Sequence, residues 1–277
     1  MKKPVKITIV VVIVLVGLLV GADYGLAAAA EYQVSKRMRA ELNLADDPSV
    51  DIHGFPFITQ AIAGDYSDIS INATGVPAQN TLRDLEIDAD LHDVRVSLSE
   101  LLSGSVSEIR IDEVDGQVKV KASDIGRLLN IPDLTINPIS LDTVLGVGAQ
   151  DALDQQEKAQ HPGETNPLTS EAGVMLTGSI PIAGLKTTVN AFGILALDNG
   201  GVRITPKKLQ LSNGLVSASL PDSLLQTFTG SFQTTLTTKS LKLPFGVQAT
   251  GVEVESGAIV VQGKATSVVL PTGSTSP

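Results

Sequence analysis

The sequence predicts an α+β fold in which a long N-terminal helix precedes a large antiparallel β-sheet. Residues 7–22 carry no charge and are almost entirely Ile, Val and Leu, and helical patterning continues to Leu44. Apolar and polar residues then alternate with a period of two, as in residues 85–91, which is typical of half-buried antiparallel strands. Short helical patterns at residues 124–130 and 221–232 interrupt the strands. Strands and helices that do not alternate regularly indicate an α+β fold.

The first 22 residues are predicted to be a transmembrane anchor or a signal segment. The 16 uncharged residues 7–22 are slightly fewer than the roughly 20 that span a bilayer. Ala28-Ala29-Ala30 supplies a possible cleavage pattern. Lys2, Lys3 and Lys6 place the N-terminus in the cytoplasm, although Lys36, Arg37 and Arg39 on the other flank weaken this assignment. Helical character beyond the alanines favours an uncleaved anchor. We therefore expect a chain on the extracytoplasmic side of the cell envelope, anchored in the cytoplasmic membrane, or secreted if cleaved near Ala30.

The exported part is predicted to be a single domain over residues 23–270. Polar composition over residues 150–173 indicates a long loop, and residues 271–277 read as a disordered tail. Asp115-Gly116 is interpreted as a hairpin turn, as is the segment 198–201. Ser123 is the predicted cap of the helix that follows it.

Composition excludes several functional classes. Hydrophobic residues make up 43% of the chain and aromatic residues only 3%, without Trp, so the core must be aliphatic. The absence of Cys excludes disulfides, thiol nucleophiles and thiolate metal sites. A formal charge of −10 argues against nucleic acid, which is held mainly through phosphate neutralisation. It also argues against electrostatic docking on anionic membrane.

No motif indicates catalysis, a metal site or a cofactor. The acidic residues of one predicted strand alternate with apolar ones, which is typical of a solvated outer face; they are Asp84, Glu86, Asp88, Asp90 and Asp93. The three His residues are far apart in sequence. We therefore expect a protein that is not an enzyme, and a hydrolase using dispersed acids is the least favoured alternative.

The most distinctive stretch is residues 51–70. It contains Gly54-Phe55-Pro56-Phe57, a short apolar helix beginning near Ile58, the helix stop Gly64 and a strand beginning near Tyr66. Each Phe of the chain has two interpretations, packing in the core or lining an apolar groove that holds a lipid chain. The aromatic candidates beside the sheet are Phe55, Phe57, Phe228, Phe232 and Phe245.

Two segments resemble the signature of the LmeA-like phospholipid-binding family of the actinobacterial cell envelope. The first is Gly54-Phe55-Pro56-Phe57 followed by Gly64-Asp65-Tyr66, and the second is Leu243-Pro244-Phe245 followed by strands. The N-terminal plan of an apolar segment and a helix is also similar. The resemblance covers about residues 20 to 270.

The resemblance implies a curved antiparallel sheet that wraps the long helix, as in tubular lipid-transfer modules. It implies a non-enzymatic phospholipid-binding protein linked with envelope lipid or lipoglycan metabolism or with lipid transfer. Its partners would be phospholipid and an envelope biosynthesis enzyme. An envelope scaffold without a lipid cavity is the alternative. The lipid-binding candidates are Phe55, Phe57, Ile58, Tyr66, Phe228, Phe232 and Phe245, and the structural motif residues are Gly54, Pro56, Gly64, Leu243 and Pro244.

Overall fold

The longest element of the protein is an N-terminal helix. A computed structural model describes residues 3–78, 82–103, 106, 108–145, 170–182, 185–198, 201–212, 217–219, 235–237 and 247–271. Helix α1 (Lys3–Leu42) runs through 40 residues, which confirms that the helix continues past the alanines. Its apolar side chains at positions 11–16, 18 and 19 are exposed. Among the described residues it is the one helix long and apolar enough to cross a membrane, a test that a signal sequence would also pass.

Four short helices and twelve strands follow within the described residues. The helices are α2 (Phe57–Ala63), α3 (Leu98–Ser103), α4 (Ala122–Leu129) and α5 (Leu141–Leu145). The strands are β1 (Ser49–His53), β2 (Asp65–Ala78), β3 (Leu82–Arg95), β4 (Glu108–Lys121), β5 (Thr135–Ile139), β6 (Glu171–Ile182), β7 (Leu185–Asp198), β8 (Gly201–Ser212), β9 (Ser217–Ser219), β10 (Thr235–Thr237), β11 (Gln248–Glu255) and β12 (Ala258–Pro271).

The described strands form two sheets, where the sequence had predicted one large sheet. One has six strands in the order β1-β2-β3-β4-β12-β11. The other contains β10-β8-β7-β6-β5, with β9 paired to β8. Every pair with a defined register is antiparallel. The α+β class is confirmed, and the division arises because β5 to β10 pair with one another while β12 returns to β4.

The chain divides into two compact units. The first comprises Met1–Ala73, Asp88–Val114 and Thr266–Pro277, and the second comprises Thr74–Ile87 and Asp115–Ala265. In the second unit, the main cluster of buried side chains consists entirely of Val, Leu, Ile and Ala residues from both sheets, from α4 and from the connection between α4 and β5. This confirms the aliphatic core that the scarcity of aromatic residues had indicated.

Two local predictions were wrong. Asp115 and Gly116 lie inside the continuous strand β4 rather than in a turn. Val114 and Val118, on either side of the dipeptide, are both buried, so burial along an extended strand outweighs its local turn preference. The N-cap of α4 is Lys121, without a side-chain cap bond, and Ser123 lies in the first turn.

The acidic residues of β3 lie at its outer face, as predicted. Asp84 and Glu86 form ion pairs with Lys121 at 3.1 and 2.9 Å. Asp90 Oδ1 accepts a hydrogen bond of 2.7 Å from the Ser70 hydroxyl. These carboxylates therefore make cross-strand surface contacts.

Several predictions fall outside the described residues. They are the helix at residues 221–232, most of the polar loop, at residues 150–169, and residues 272–277 of the tail. The end of the predicted loop is already strand, because β6 begins at Glu171.

Candidate functional site

The signature segment forms a tight connection between β1 and α2. Gly54 has φ +96°, and the Phe55–Pro56 peptide bond is cis. Helix α2 then runs from Phe57 to Ala63 and ends at Gly64, which has φ +68° in the left-handed region. Glycine adopts this conformation without the steric penalty of a Cβ, and the Gly64 amide closes the helix on the Gln60 carbonyl at 2.7 Å. The predicted short helix and its glycine stop are confirmed.

An acidic residue of α1 caps the start of α2. The two carboxylate oxygens of Asp23 accept hydrogen bonds from the backbone amides of Phe57 and Ile58, both at 2.8 Å. The residue at the cap position, Pro56, has no side-chain acceptor, so the free amides at the helix start need an acceptor from elsewhere. Asp23 is only 4% exposed, and the hydrogen bonds from the two amides offset the free-energy cost of burying its charge.

The inner side of α2 packs on the strand that follows it. Phe57 is 3% exposed and Tyr66 is 1% exposed, and their ring centroids lie 6.5 Å apart. Burial raises the pKa of Tyr66 above the ordinary value for tyrosine. Its hydroxyl is buried and has no hydrogen-bond partner among the residues that the structure describes. In the first unit these two predicted lipid-binding candidates thus occupy core positions.

The outer side of α2 is apolar and open. Phe55 is 59% exposed and stacks on Tyr24 of α1, with a centroid distance of 6.1 Å and an interplanar angle of 23°. Ile62 is 82% exposed, and Ile58 is half-buried. Between residues 55 and 63 the exposed residues are Phe55, Pro56, Thr59, Ile62 and Ala63, none of them charged; we call these five residues the outer face of α2.

A pocket of about 370 Å³ opens beside the C-terminal half of α2. This volume is near the lower end for small-molecule sites. Its wall includes apolar side chains of α2 and charged side chains from the end of β3 and the start of β4. The lining residues are Ala61, Ile62, Ala63, Gly64, Arg95, Val96, Ser97, Glu108 and Arg110.

Both arginines of the pocket are already paired with carboxylates. Arg95 contacts Asp112 at 2.8 Å, and Arg110 Nε contacts Glu108 at 2.6 Å. The carboxylate of Glu108 raises the pKa of Arg110. The pocket is therefore lined by both apolar side chains and paired charges.

The structure brings together only part of the predicted site. The predicted residues that the structure describes lie in one continuous stretch from the β1–α2 connection to the start of β2; they are Gly54, Phe55, Pro56, Phe57, Ile58, Gly64 and Tyr66. The remaining candidates lie outside the described residues; they are Phe228, Phe232, Leu243, Pro244 and Phe245. Sequence reasoning gave Asp23 no role. Two features of the sequence could have indicated its capping role. Asp23 is the first charged residue after the apolar run, and Pro56, at the start of the predicted helix, has no side chain that could cap it.

Comparison with known families addresses the resemblance directly. Residues 21–264 match the model of the LmeA-like phospholipid-binding family. The chain belongs to this family. The match of the LmeA-like model includes Asp23, the whole signature segment and both sheets as far as Lys264 of β12. No curated protein and no solved structure matches the chain.

Membership of the LmeA-like family indicates a binding protein rather than an enzyme. Within the part of the chain that the structure describes, no group of three or more His, Asp or Glu side chains could hold a metal ion. Asp23, which lies against the signature segment, accepts hydrogen bonds from two backbone amides.

Proposed function

We propose that this protein is a non-enzymatic phospholipid-binding protein of the cell envelope. Helix α1 anchors it in the cytoplasmic membrane, and residues 23–270 form the lipid-binding part on the extracytoplasmic side. The observation that carries the proposal is the family match over residues 21–264. The bound lipid would support envelope lipid or lipoglycan metabolism or lipid transfer, with an envelope biosynthesis enzyme as a possible partner.

Contacts of α1 support an anchor that is retained. Ala27 and Ala30 are buried, and Asp23 caps α2. Further along, Glu31 accepts the Ile52 amide at 2.9 Å and Ser35 donates to the Pro48 carbonyl at 2.6 Å. Cleavage near Ala30 would remove the cap of α2 and two buried side chains from the fold. The family match also begins before this segment, at residue 21.

The acyl chains would lie in an apolar groove between a curved sheet and the helices. Each CH₂ removed from water contributes about 0.8 kcal/mol, so even a short length of chain supplies useful affinity. The pocket beside α2 is lined by both Ile62 and Arg95, and in this proposal it forms the groove entrance, where a phospholipid would meet apolar and charged side chains.

Lipid extraction tests this function. A protein beginning at Gly21 keeps Asp23 and is purified without detergent, extracted with organic solvent and analysed by mass spectrometry. Its circular dichroism serves as the control for folding. We expect phospholipid close to one per chain, with the head group identified by mass. A folded, lipid-free protein that also fails to take up added phospholipid would refute the proposal and favour the envelope scaffold.

A further inference from the structure

We propose that the outer face of α2 docks on the extracytoplasmic surface of the membrane that α1 enters. The apolar side chains of Phe55 and Ile62 would insert at the boundary between head groups and acyl chains. This inference rests on the proposed function, because it requires that α1 is retained as an anchor.

The position of α2 along α1 is the first argument. From Lys6 to Asp23 the helix rises about 25 Å at 1.5 Å per residue, close to the roughly 30 Å of bilayer hydrocarbon. Asp23 therefore marks the end of the membrane-spanning part of α1. The first two amides of α2 lie 2.8 Å from the Asp23 carboxylate, which holds α2 at the level where α1 leaves the bilayer.

The chemistry of the outer face is the second argument. Its five residues carry no charge, and Ile62 is among the most exposed large apolar side chains described. Tyr24 and Phe55 stack on each other, and Tyr side chains concentrate at membrane–water interfaces. A short, uncharged helix face with an aromatic at one end fits the interfacial layer of a bilayer.

Continuity with α1 identifies the bilayer as the occupant. The exposed apolar surface of α1 at positions 11–19 is followed within two turns by Tyr24, and Tyr24 contacts Phe55. The apolar surface thus runs from the membrane-spanning part of α1 to α2. The formal charge of −10 does not favour electrostatic adsorption, so contact with lipid depends on apolar insertion. Docking would also place the pocket beside α2 next to the lipid head groups.

Tryptophan depth measurements test the docking, since the chain contains no Trp. The full-length protein is reconstituted in vesicles of phosphatidylethanolamine and phosphatidylglycerol that contain lipids brominated on the acyl chains. Single variants Ile62→Trp and Phe55→Trp report on the outer face. Ile62 is highly exposed, so the larger side chain enters open space. Quenching by bromine and the emission wavelength are recorded for each variant.

Helix α1 supplies matched controls along one axis. Tyr24→Trp marks the interface, while Tyr32→Trp and Leu42→Trp lie about 12 and 27 Å further along the helix; all three native side chains are exposed. We expect quenching at positions 55 and 62 to equal that at position 24 and to exceed that at position 42 several-fold. The emission maximum of Trp at positions 24, 55 and 62 should likewise lie at shorter wavelength than that of Trp at position 42.

Two outcomes would overturn the docking proposal. One is water-like emission at position 62 with quenching no stronger than at position 42. The other is shielded emission at position 62 without bromine quenching, which would mean that a second copy or another part of the chain covers this face. Lipid extraction is separate from this readout. Retained phospholipid combined with an unquenched Trp at position 62 would refute docking and leave the proposed function intact.

Discussion

Replacing Asp23 by Ala should release helix α2 from α1. The substitution removes the acceptor for two backbone amides at 2.8 Å. Hydrogen bonds to a charged group contribute about 1.5–3 kcal/mol each, which gives about 3–6 kcal/mol for the pair. The loss of stability cannot exceed the free energy that separates folded α2 from its locally unfolded state. That free energy is smaller, because Phe57 is the one buried side chain of α2 and burial of a Phe contributes about 1.5–3 kcal/mol.

We therefore expect Asp23→Ala to destabilise α2 by about 2–3 kcal/mol relative to its locally open state. At 1.36 kcal/mol per factor of ten, local opening becomes about 30- to 150-fold more frequent. Asp23→Asn keeps one acceptor oxygen and should cost about half as much. Amide hydrogen exchange followed by mass spectrometry on peptides covering residues 55–66 measures this opening directly.

Two acids on the same helix provide controls. Glu41 is exposed near the end of α1, and Glu41→Ala should leave exchange in α2 unchanged. Glu31 accepts a single amide, from Ile52 of β1, so Glu31→Ala should speed exchange in β1 rather than α2. If α2 in Asp23→Ala exchanges as slowly as in the native protein, the carboxylate does not hold this helix and the reasoning fails.

Three further predictions concern the end of α2 and the strand that follows it. Tyr66→Phe should stabilise the protein by about 1 kcal/mol, because the buried hydroxyl lacks a described partner; a lower denaturation midpoint would contradict this. Since burial raises the pKa of Tyr66, the folded protein disfavours the ionised phenolate; ionisation therefore costs no stability below the unfolded value of 10.0, and stability should fall as the pH rises above it. Tyr66→Phe should remove that component of the pH dependence in denaturation curves. Gly64→Ala should destabilise by about 1–2 kcal/mol, since a Cβ there would lie 3.0 Å from the Val96 carbonyl oxygen. Gly75 has nearly the same φ, with open space around it, so Gly75→Ala isolates the backbone cost, and equal losses of stability would show that the Val96 contact is immaterial.

Elements with strong local signals were predictable from the sequence. Helix α2 was recognised from its apolar run and from Gly64, because a left-handed helix end selects glycine regardless of what lies nearby. The hairpin between β7 and β8 was recognised from the segment 198–201, and Asp198 pairs with Gly201 where the two strands meet. The aliphatic nature of the core followed from composition alone. The signature Gly54-Phe55-Pro56-Phe57 indicated the family, and the match over residues 21–264 confirmed it.

The sequence could not assign roles to the aromatic candidates. Phe55 and Phe57 are two residues apart, yet one is exposed on Tyr24 and the other is buried against Tyr66. Their difference depends on the direction in which the chain turns at Gly54 and Pro56 and on the position of α1. The spacing of Phe55 and Phe57 in the sequence indicates neither the direction of this turn nor the position of α1.

By itself, then, the sequence determined the secondary structure classes, the apolar N-terminal helix and the family. Only the tertiary structure decided that the strands divide into two sheets, that Asp115-Gly116 continues a strand and that Asp23 caps a helix 34 residues away. The physical reason is the range of the interactions. Helix ends and strand periodicity are set by neighbours along the chain, whereas strand partners and the acceptor for a buried amide are selected by packing between distant segments.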